Sequence, residues 1–507
     1  MPDAAALHYR STAGRWVVAA TVLGSGMAAV DATVVGIALP TIGREFQASV
    51  AQLQWVVNGY TLALAALLLL GGSLGDRFGR RRMFGIGIVW FTAASAACAL
   101  APGAPVLIGL RVLQGVGGAL LTPGSLAILQ ASFREEDRGR AIGAWTGLGG
   151  VASAAGPFLG GYLIAAASWR WIFLVNVPVG VCILLLALRH VPESRDGSAP
   201  DRIDLPGAVL VAVALAGVTY GLTEGPATGW HRPGPVVAVI VGVLAGVAFV
   251  VVERRTAAPL LPSVLFTSRQ FNVTTAVTFI VYGALGGVLF LLPVVLQVVG
   301  HYTPLASGMA LLPLTVVMLL LSSTSGRVAT RIGPRLQMSV GPVVVGAGLA
   351  LLSRIPADPD YWTGVLPAVL VFGLGLAVTV APLTATALAS APAEHAGVAS
   401  AVNNDVARIG GLLAVAVLPA VSGVHGTAYL HPAQLADGFR TAALLAGAWC
   451  AAGGLLAAVG IRNPGAVSPG RRGGGLRRRR QFVYCALDAP PRSVAGWVAE
   501  EGAGSGG

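Results

Sequence analysis

Between Trp16 and Ile461 long apolar runs alternate with short polar breaks. The runs are roughly 20 residues or longer, and 20 residues at 1.5 Å per residue cross a hydrocarbon core about 30 Å thick. None shows the ten-residue alternation of a barrel strand, so the Gly-, Ala- and Leu-rich runs read as helices. The pattern predicts spans near 16–40, 51–71, 83–101, 105–130, 139–164, 170–189, 206–224, 235–252, 272–299, 305–325, 336–354, 362–389, 397–421 and 438–461. That makes fourteen, in an all-α integral membrane protein.

Composition narrows the function. The 507 residues are 55% hydrophobic and 11% charged, with a mean hydropathy of +0.76, outside the balance of a soluble domain. Seven histidines are dispersed, and Cys98, Cys182, Cys450 and Cys485 have neither zinc nor disulfide spacing. The chain holds no HExxH and, lacking lysine, no Walker A sequence. No metal or cofactor is expected, ATP is not the direct energy source, and a membrane-embedded enzyme is the remote alternative to a transporter. A channel is disfavoured, since no polar filter repeats.

Charge sets the expected topology. Every basic residue is an arginine, and with both termini inside, the inner loops hold sixteen of the 33, the N-terminus two and the tail eight. Only Arg44, Arg170, Arg232, Arg354 and Arg440 fall outside, while Arg111 and Arg408 lie within spans. This asymmetry predicts cytoplasmic termini in a plasma-membrane protein. No signal peptide precedes the first run, which is expected to serve as its own uncleaved targeting signal. The net charge of +12 then reflects topology and anionic lipid headgroups, not nucleic acid. The tail stretch "RRGGGLRRRRQF" reads as a disordered, membrane-proximal basic segment rather than an RNA-binding one.

The chain also repeats itself. "GSLGDRFGRR" (Gly72 to Arg81) aligns without gaps on "GRVATRIGPR" (Gly326 to Arg335), eight spans later. If each half has six helices, spans 7 and 8 are inserted between them. The expected plan is a cytoplasmic N-terminus at 1–15, a six-helix bundle at 16–190, an inserted pair at 206–252, a second six-helix bundle at 272–461 and the basic tail at 462–507, in a monomer. Transporters built from such repeats bind substrate near the midplane, between halves that rock.

Four stretches, in order, carry a family resemblance: "DATVVGIALP" in helix 1, "GSLGDRFGRRR" in the loop after helix 2, "RVLQGVGGA" in helix 4 and "GPFLGG" in helix 5, supported by "WRWIFLVNVPVG" and "VNNDVARIGGLLAVAV". Over Trp16 to about Ile461 the chain resembles the major facilitator superfamily, specifically its fourteen-span drug/proton antiporter branch. Gly36 stands where many members have asparagine, Ala152 replaces a glycine of the longer helix 5 pattern, and Arg408 lies one place after the usual arginine position, here Ala407. The resemblance implies export of small amphipathic compounds against protons, a gating loop at Gly72, Asp76, Arg77, Gly79, Arg80 and Arg81, and an antiporter motif at Gly156, Pro157, Gly160 and Gly161.

The residues support chemistry of their own. Asp31 is the only acid between Trp16 and Pro40, and an aspartate at the centre of a membrane helix costs about 2.5 to 3.5 kcal/mol. With Pro40 and Pro105 taken as outer helix ends, Asp31 lies about 13 Å and Arg111 about 9 Å deep, so the opposite charges are expected to meet directly or through water. Separating them, or drying the site, lets Asp31 take a proton; a static pair that only stabilises packing is the competing reading. Arg111 keeps its proton and serves to tune or position, and Gln114 is expected to line the same cavity. Asp405 is expected to be neutralised by Arg408 at i+3, a structural role. Glu224 and Glu253 read as solvated helix ends. Asp76 could cap a neighbouring helix while its arginines pair with acids across the cytoplasmic gap. In helix 5 the small residues around Pro157 allow close approach and a bend, which ordinary tight packing explains equally. Asn58, Tyr60, Trp145, Asn403, Asn404 and Asp405 are candidate liners of a substrate cavity.

Overall fold

The computed structural model describes residues 7–196, 204–256, 261–356, 359–391 and 396–463. Among these residues are fourteen helices long and apolar enough to cross a membrane. We label them α1 (Thr12–Phe46), α2 (Val50–Phe78), α3 (Arg80–Ala99), α4 (Ala104–Ser132), α5 (Glu135–Ala166), α6 (Trp171–His190), α7 (Leu205–Thr228), α8 (Pro233–Glu253), α9 (Arg269–Val298), α10 (Pro304–Ile332), α11 (Pro334–Leu352), α12 (Tyr361–Ala389), α13 (Val398–Val421) and α14 (Pro432–Gly460). Each coincides with one predicted run. Many extend beyond it, because their terminal turns are polar and carry no hydropathy signal. The expectation of a disordered tail falls on residues 464–507, outside the described residues.

The largest extension is informative. Pro40 was taken as the end of the first helix, yet α1 continues to Phe46 with Pro40 inside it and ends at Gln47 in the left-handed region. Proline forfeits one backbone N–H, a loss that a membrane helix tolerates where neighbours surround it. At the other end Ser11 accepts from the Gly14 N–H, and α2 starts in a full capping box between Ser49 and Gln52.

Helices α1 to α6 pack chiefly among themselves, as do α9 to α14, while α7 lies on α8 and also against α2 and α13. Glycines set the α7–α8 approach: a Cβ on Gly217, Gly221 or Gly242 would meet the other helix within van der Waals distance. Glu224 and Glu253 are not the solvated ends expected of them. Glu224 accepts from the Trp55 indole at 3.1 Å, tying α7 to α2, and Glu253 is buried and accepts from the Leu261 N–H. An interfacial acid finds protein donors when a neighbouring helix covers it.

The halves meet at the end remote from Thr12. One apolar cluster runs through α9, α11, α12 and α14 into the far ends of α1, α2 and α4, whereas the near part of α1 to α6 has its own cluster. Polar bonds pin the same end: Gln54 Nε2 donates to the Val415 carbonyl at 2.6 Å and to Ala416, Gln297 Nε2 to Ile37, the Val50 N–H to Gly426 and the Tyr429 hydroxyl to Ala48. Toward the end carrying the termini, Gly139, Gly143, Gly147, Gly149 and Gly150 of α5 face open space.

Candidate functional site

The site is a buried charge pair with a built cage. Arg111 on α4 donates through Nη1 to Asp31 Oδ2 on α1 at 2.5 Å, and both side chains are 1% exposed. Gln114, one turn along α4, donates to Asp31 Oδ1 at 2.8 Å and accepts from Arg111 at 2.7 Å, closing a three-membered ring. Asn176 on α6 adds a longer bond to Asp31 Oδ1 at 3.3 Å. Its amide also donates to Ser95 on α3, which donates to the Phe173 carbonyl. Arg111 is held independently of the acid as well. Its Nε donates to the Val56 carbonyl on α2, and its guanidinium lies 4.5 Å above the Tyr60 ring and 5.8 Å from that of Phe173.

The two charges therefore meet at one depth, though the helix ends from which that depth was counted are not level. Because α1 runs on to Phe46, Asp31 lies fifteen residues from that end, about 22 Å by the helical rise, against about 10 Å for Arg111 from Ala104. Gln114 is part of the cage and fully buried. Tyr60 is the shelf under Arg111. Asn176 and Ser95 were given no role in the sequence, where an uncharged polar residue in an apolar run carries little signal.

The remaining candidates scatter. Trp145 on α5 donates to Ser25, Asn403 on α13 accepts from Thr278, and Asn404 is exposed. Asn58 is buried with neither amide atom partnered. Asp405 makes no salt bridge with Arg408: its Oδ1 is buried without a hydrogen-bond partner, and Arg408 acts on it only through space. The i+3 spacing permits the pair but does not turn Arg408 toward it.

The loop after α2 is built differently from expectation. Asp76 pairs with Arg80 at 2.8 Å, four residues on, and does not cap α3. The α3 N-terminus is capped by Glu193, which follows α6 and accepts from the Arg81 and Arg82 N–H groups. Arg81 ties to the same segment through the Val191 carbonyl and so stays within its own half. Gly79 turns the corner at φ +114°, and a Cβ there would strike the Glu193 carboxylate. The second half repeats the device: Gly333 sits at φ +84°, and Asn463, following α14, accepts from the Arg335 N–H. Arg77 is exposed beside Phe78, and Gly72 lies against Pro123.

On α5 the motif residues are contact points. A Cβ on Gly156 or Gly160 would strike α1 at Thr33 or Val34, and one on Gly161 the α10 backbone at Leu305, while Gly308 of α10 approaches Pro157. The close-packing part of α5 is thus confined to its far end, and its nearer glycines line the open side.

Fourteen membrane-crossing helices, the first six of which cage a buried acid and base, make a multi-span membrane protein, and the family its sequence matches makes it a transporter of small molecules, not an enzyme. The chain belongs to the Major Facilitator Superfamily, whose profile matches residues 21–415. It is 38% identical to the tetracenomycin C resistance and export protein of Streptomyces glaucescens, over 79% of this chain and 74% of that one. To the puromycin resistance protein pur8 of Streptomyces alboniger it is 37% identical, over 86% and 90%, and to the methylenomycin A resistance protein of Bacillus subtilis 36%, over 83% and 90%. Among solved structures, a peptide transporter POT superimposes with a TM-score of 0.66 at 14% identity, covering 89% of this chain and 96% of its own. The nucleoside transporter NupG gives 0.63 at 9%, covering 88% and 100%.

Proposed function

We propose that the protein exports small amphipathic organic compounds, antibiotics among them, from the cell in exchange for protons, with Asp31 the group that carries the proton. Relatives at 36 to 38% identity are named for antibiotic resistance or export, which supports the direction and the substrate class. The observation that carries the coupling is the buried pair of Asp31 and Arg111.

The cage suits a proton carrier. All three side chains around Asp31 donate to it, so this arrangement favours the carboxylate. When the helices shift and Asp31 accepts a proton, Arg111 is not stranded, because the Val56 carbonyl, Gln114 Oε1 and the Tyr60 ring already hold it. A purely structural pair needs no such second set of partners; removing one member would leave an uncompensated charge, which costs about 3 to 5 kcal/mol. One charge moved down about 150 mV supplies roughly 3.5 kcal/mol, enough for a gradient of a few hundredfold in a neutral substrate. In this reading two six-helix bundles rock about the pair, the α5 glycines serve as the hinge contact, and the loops at Gly79 and Gly333 brace the cytoplasmic ends of the halves.

Inside-out vesicles with an acidified lumen are expected to accumulate a fluorescent cationic dye and lose it on adding an uncoupler. Asp31→Asn is expected to abolish that accumulation while facilitated dye exchange at zero gradient persists. Gradient-driven uptake by Asp31→Asn at the wild-type rate rejects the assignment. A second reading is a dedicated exporter of one metabolite, favoured by the single antibiotic in each of those relatives' names. A compound panel in cells stripped of their own pumps separates the two, breadth supporting the first and one responder the second.

A further inference from the structure

A second cavity lies away from Asp31, on the flank of the molecule. It holds about 240 Å³ and is enclosed by α2, α7, α8 and α13. Leu69 and Leu70, Leu215, Phe249, Val402 and Ile409 are among its apolar walls, and among the described residues Asp405 is the only charged or polar side chain lining it. Asp405 is 7% exposed, and its Oδ1 has no hydrogen-bond partner. Arg408, three residues on, acts on it through space but makes no salt bridge with it and supplies no hydrogen to Oδ1. A buried carboxylate oxygen without a donor is costly unless something supplies one, and here the carboxylate opens onto an apolar space.

The position is as telling as the chemistry. Ala208 and Val211 belong to the first turns of α7, Gly246 and Phe249 to the last turns of α8, and Asp405 lies seven residues into α13. All sit toward the end that carries the termini, and the site is absent without α7 and α8, which supply one wall. Apolar walls with one acid match a ligand with an apolar body and one cationic head.

We infer that the cavity between α2, α7, α8 and α13 binds a small lipophilic organic amine, its ammonium on Asp405 and its body against Leu69, Leu70 and Phe249. The inference deepens the export reading by naming a substrate class and gives the α7–α8 pair a binding role. The ammonium replaces the missing donor at Oδ1, and the walls replace lipid around the hydrocarbon part. A neutral isostere of the same shape gains the second contribution and forfeits the first.

The test uses the full-length protein in phosphatidylcholine nanodiscs with no gradient, and as probe an aryl-diazirine alkylamine whose cross-links are mapped by mass spectrometry. Labelling is expected on α2 or α8 beside the cavity, blocked by 3-phenylpropylamine and at least tenfold less well by 3-phenyl-1-propanol. Asp405→Asn is expected to cut labelling tenfold or more. Gly246→Leu keeps the acid and fills the space; a Cβ there meets only Ala214 at 3.8 Å, so the helix packing survives, and labelling should fall equally. Unchanged labelling in Asp405→Asn, or equal protection by the alcohol, overturns the inference and leaves the Asp31 reading standing. Normal export by Asp31→Asn with amine labelling intact does the reverse.

Discussion

At the scale of single residues, Arg111 illustrates why guanidinium and ammonium differ. It reaches the Val56 carbonyl through Nε and both Asp31 and Gln114 through Nη1, a spread that a planar fork covers and a point charge does not. Arg111→Lys is therefore expected to cut vesicle transport by more than tenfold while leaving the protein inserted, as judged by size exclusion. Asn176→Ala should do less: its bond to Asp31 is the longest of the three, and one hydrogen bond to a charged group is worth about 1.5 kcal/mol at the low end, near tenfold. Equal losses in the two variants would remove Arg111 from its special place. The pair itself was readable in the sequence, because a charge inside an apolar run must be neutralised or used. Asn176 and Ser95 were not, since uncharged polar groups are common between membrane helices and advertise no partner.

At the scale of elements, the turn before α3 and the turn before α11 solve one problem twice. Each glycine adopts a positive φ, and each following helix is capped by a side chain lying three residues past the end of another helix, Glu193 after α6 and Asn463 after α14. The glycines and arginines of the repeat were visible by alignment, but the caps were not: Glu193 lies more than a hundred residues from its partners and inside no motif. Asp76 looked like the capping acid only because it is close in sequence. Losing a side-chain cap costs about 0.5 to 2 kcal/mol. Glu193→Ala and Asn463→Ala are each expected to lower the melting temperature of the detergent-purified protein, whereas Asp76→Asn, which weakens a half-buried pair across the single turn between α2 and α3, should shift it less. A larger shift for Asp76→Asn than for Glu193→Ala would return the capping role to the loop.

At the scale of the whole molecule, one end is shut, and a proline helps to shut it. In α13 the Val415 carbonyl lies four residues before Pro419, which has no N–H to return, so the helix leaves that acceptor open. Gln54 of α2 fills it at 2.6 Å from the other half of the molecule. A backbone vacancy on one side thus becomes a latch between the two, and opening this end must leave a carbonyl unpaired or expose it to water. That penalty is about 1 to 3 kcal/mol, a shift of roughly 5- to 150-fold between closed and open populations. The comparison is made on a chain whose four native cysteines have been replaced. Gly143→Cys on α5 should react with a membrane-impermeant maleimide from the side of the termini, since nothing lies near its Cβ, whereas Ala416→Cys, fully buried at the shut end, should not react from either side. Adding Gln54→Ala should raise labelling of Ala416→Cys from the opposite side by about tenfold, the middle of that range, and lower that of Gly143→Cys, because a transporter that opens one end closes the other. If Ala416→Cys labels equally with Gln54 present or absent, the latch contributes nothing to the conformational balance, and the apolar contacts of α1, α2 and α9 hold the end shut alone.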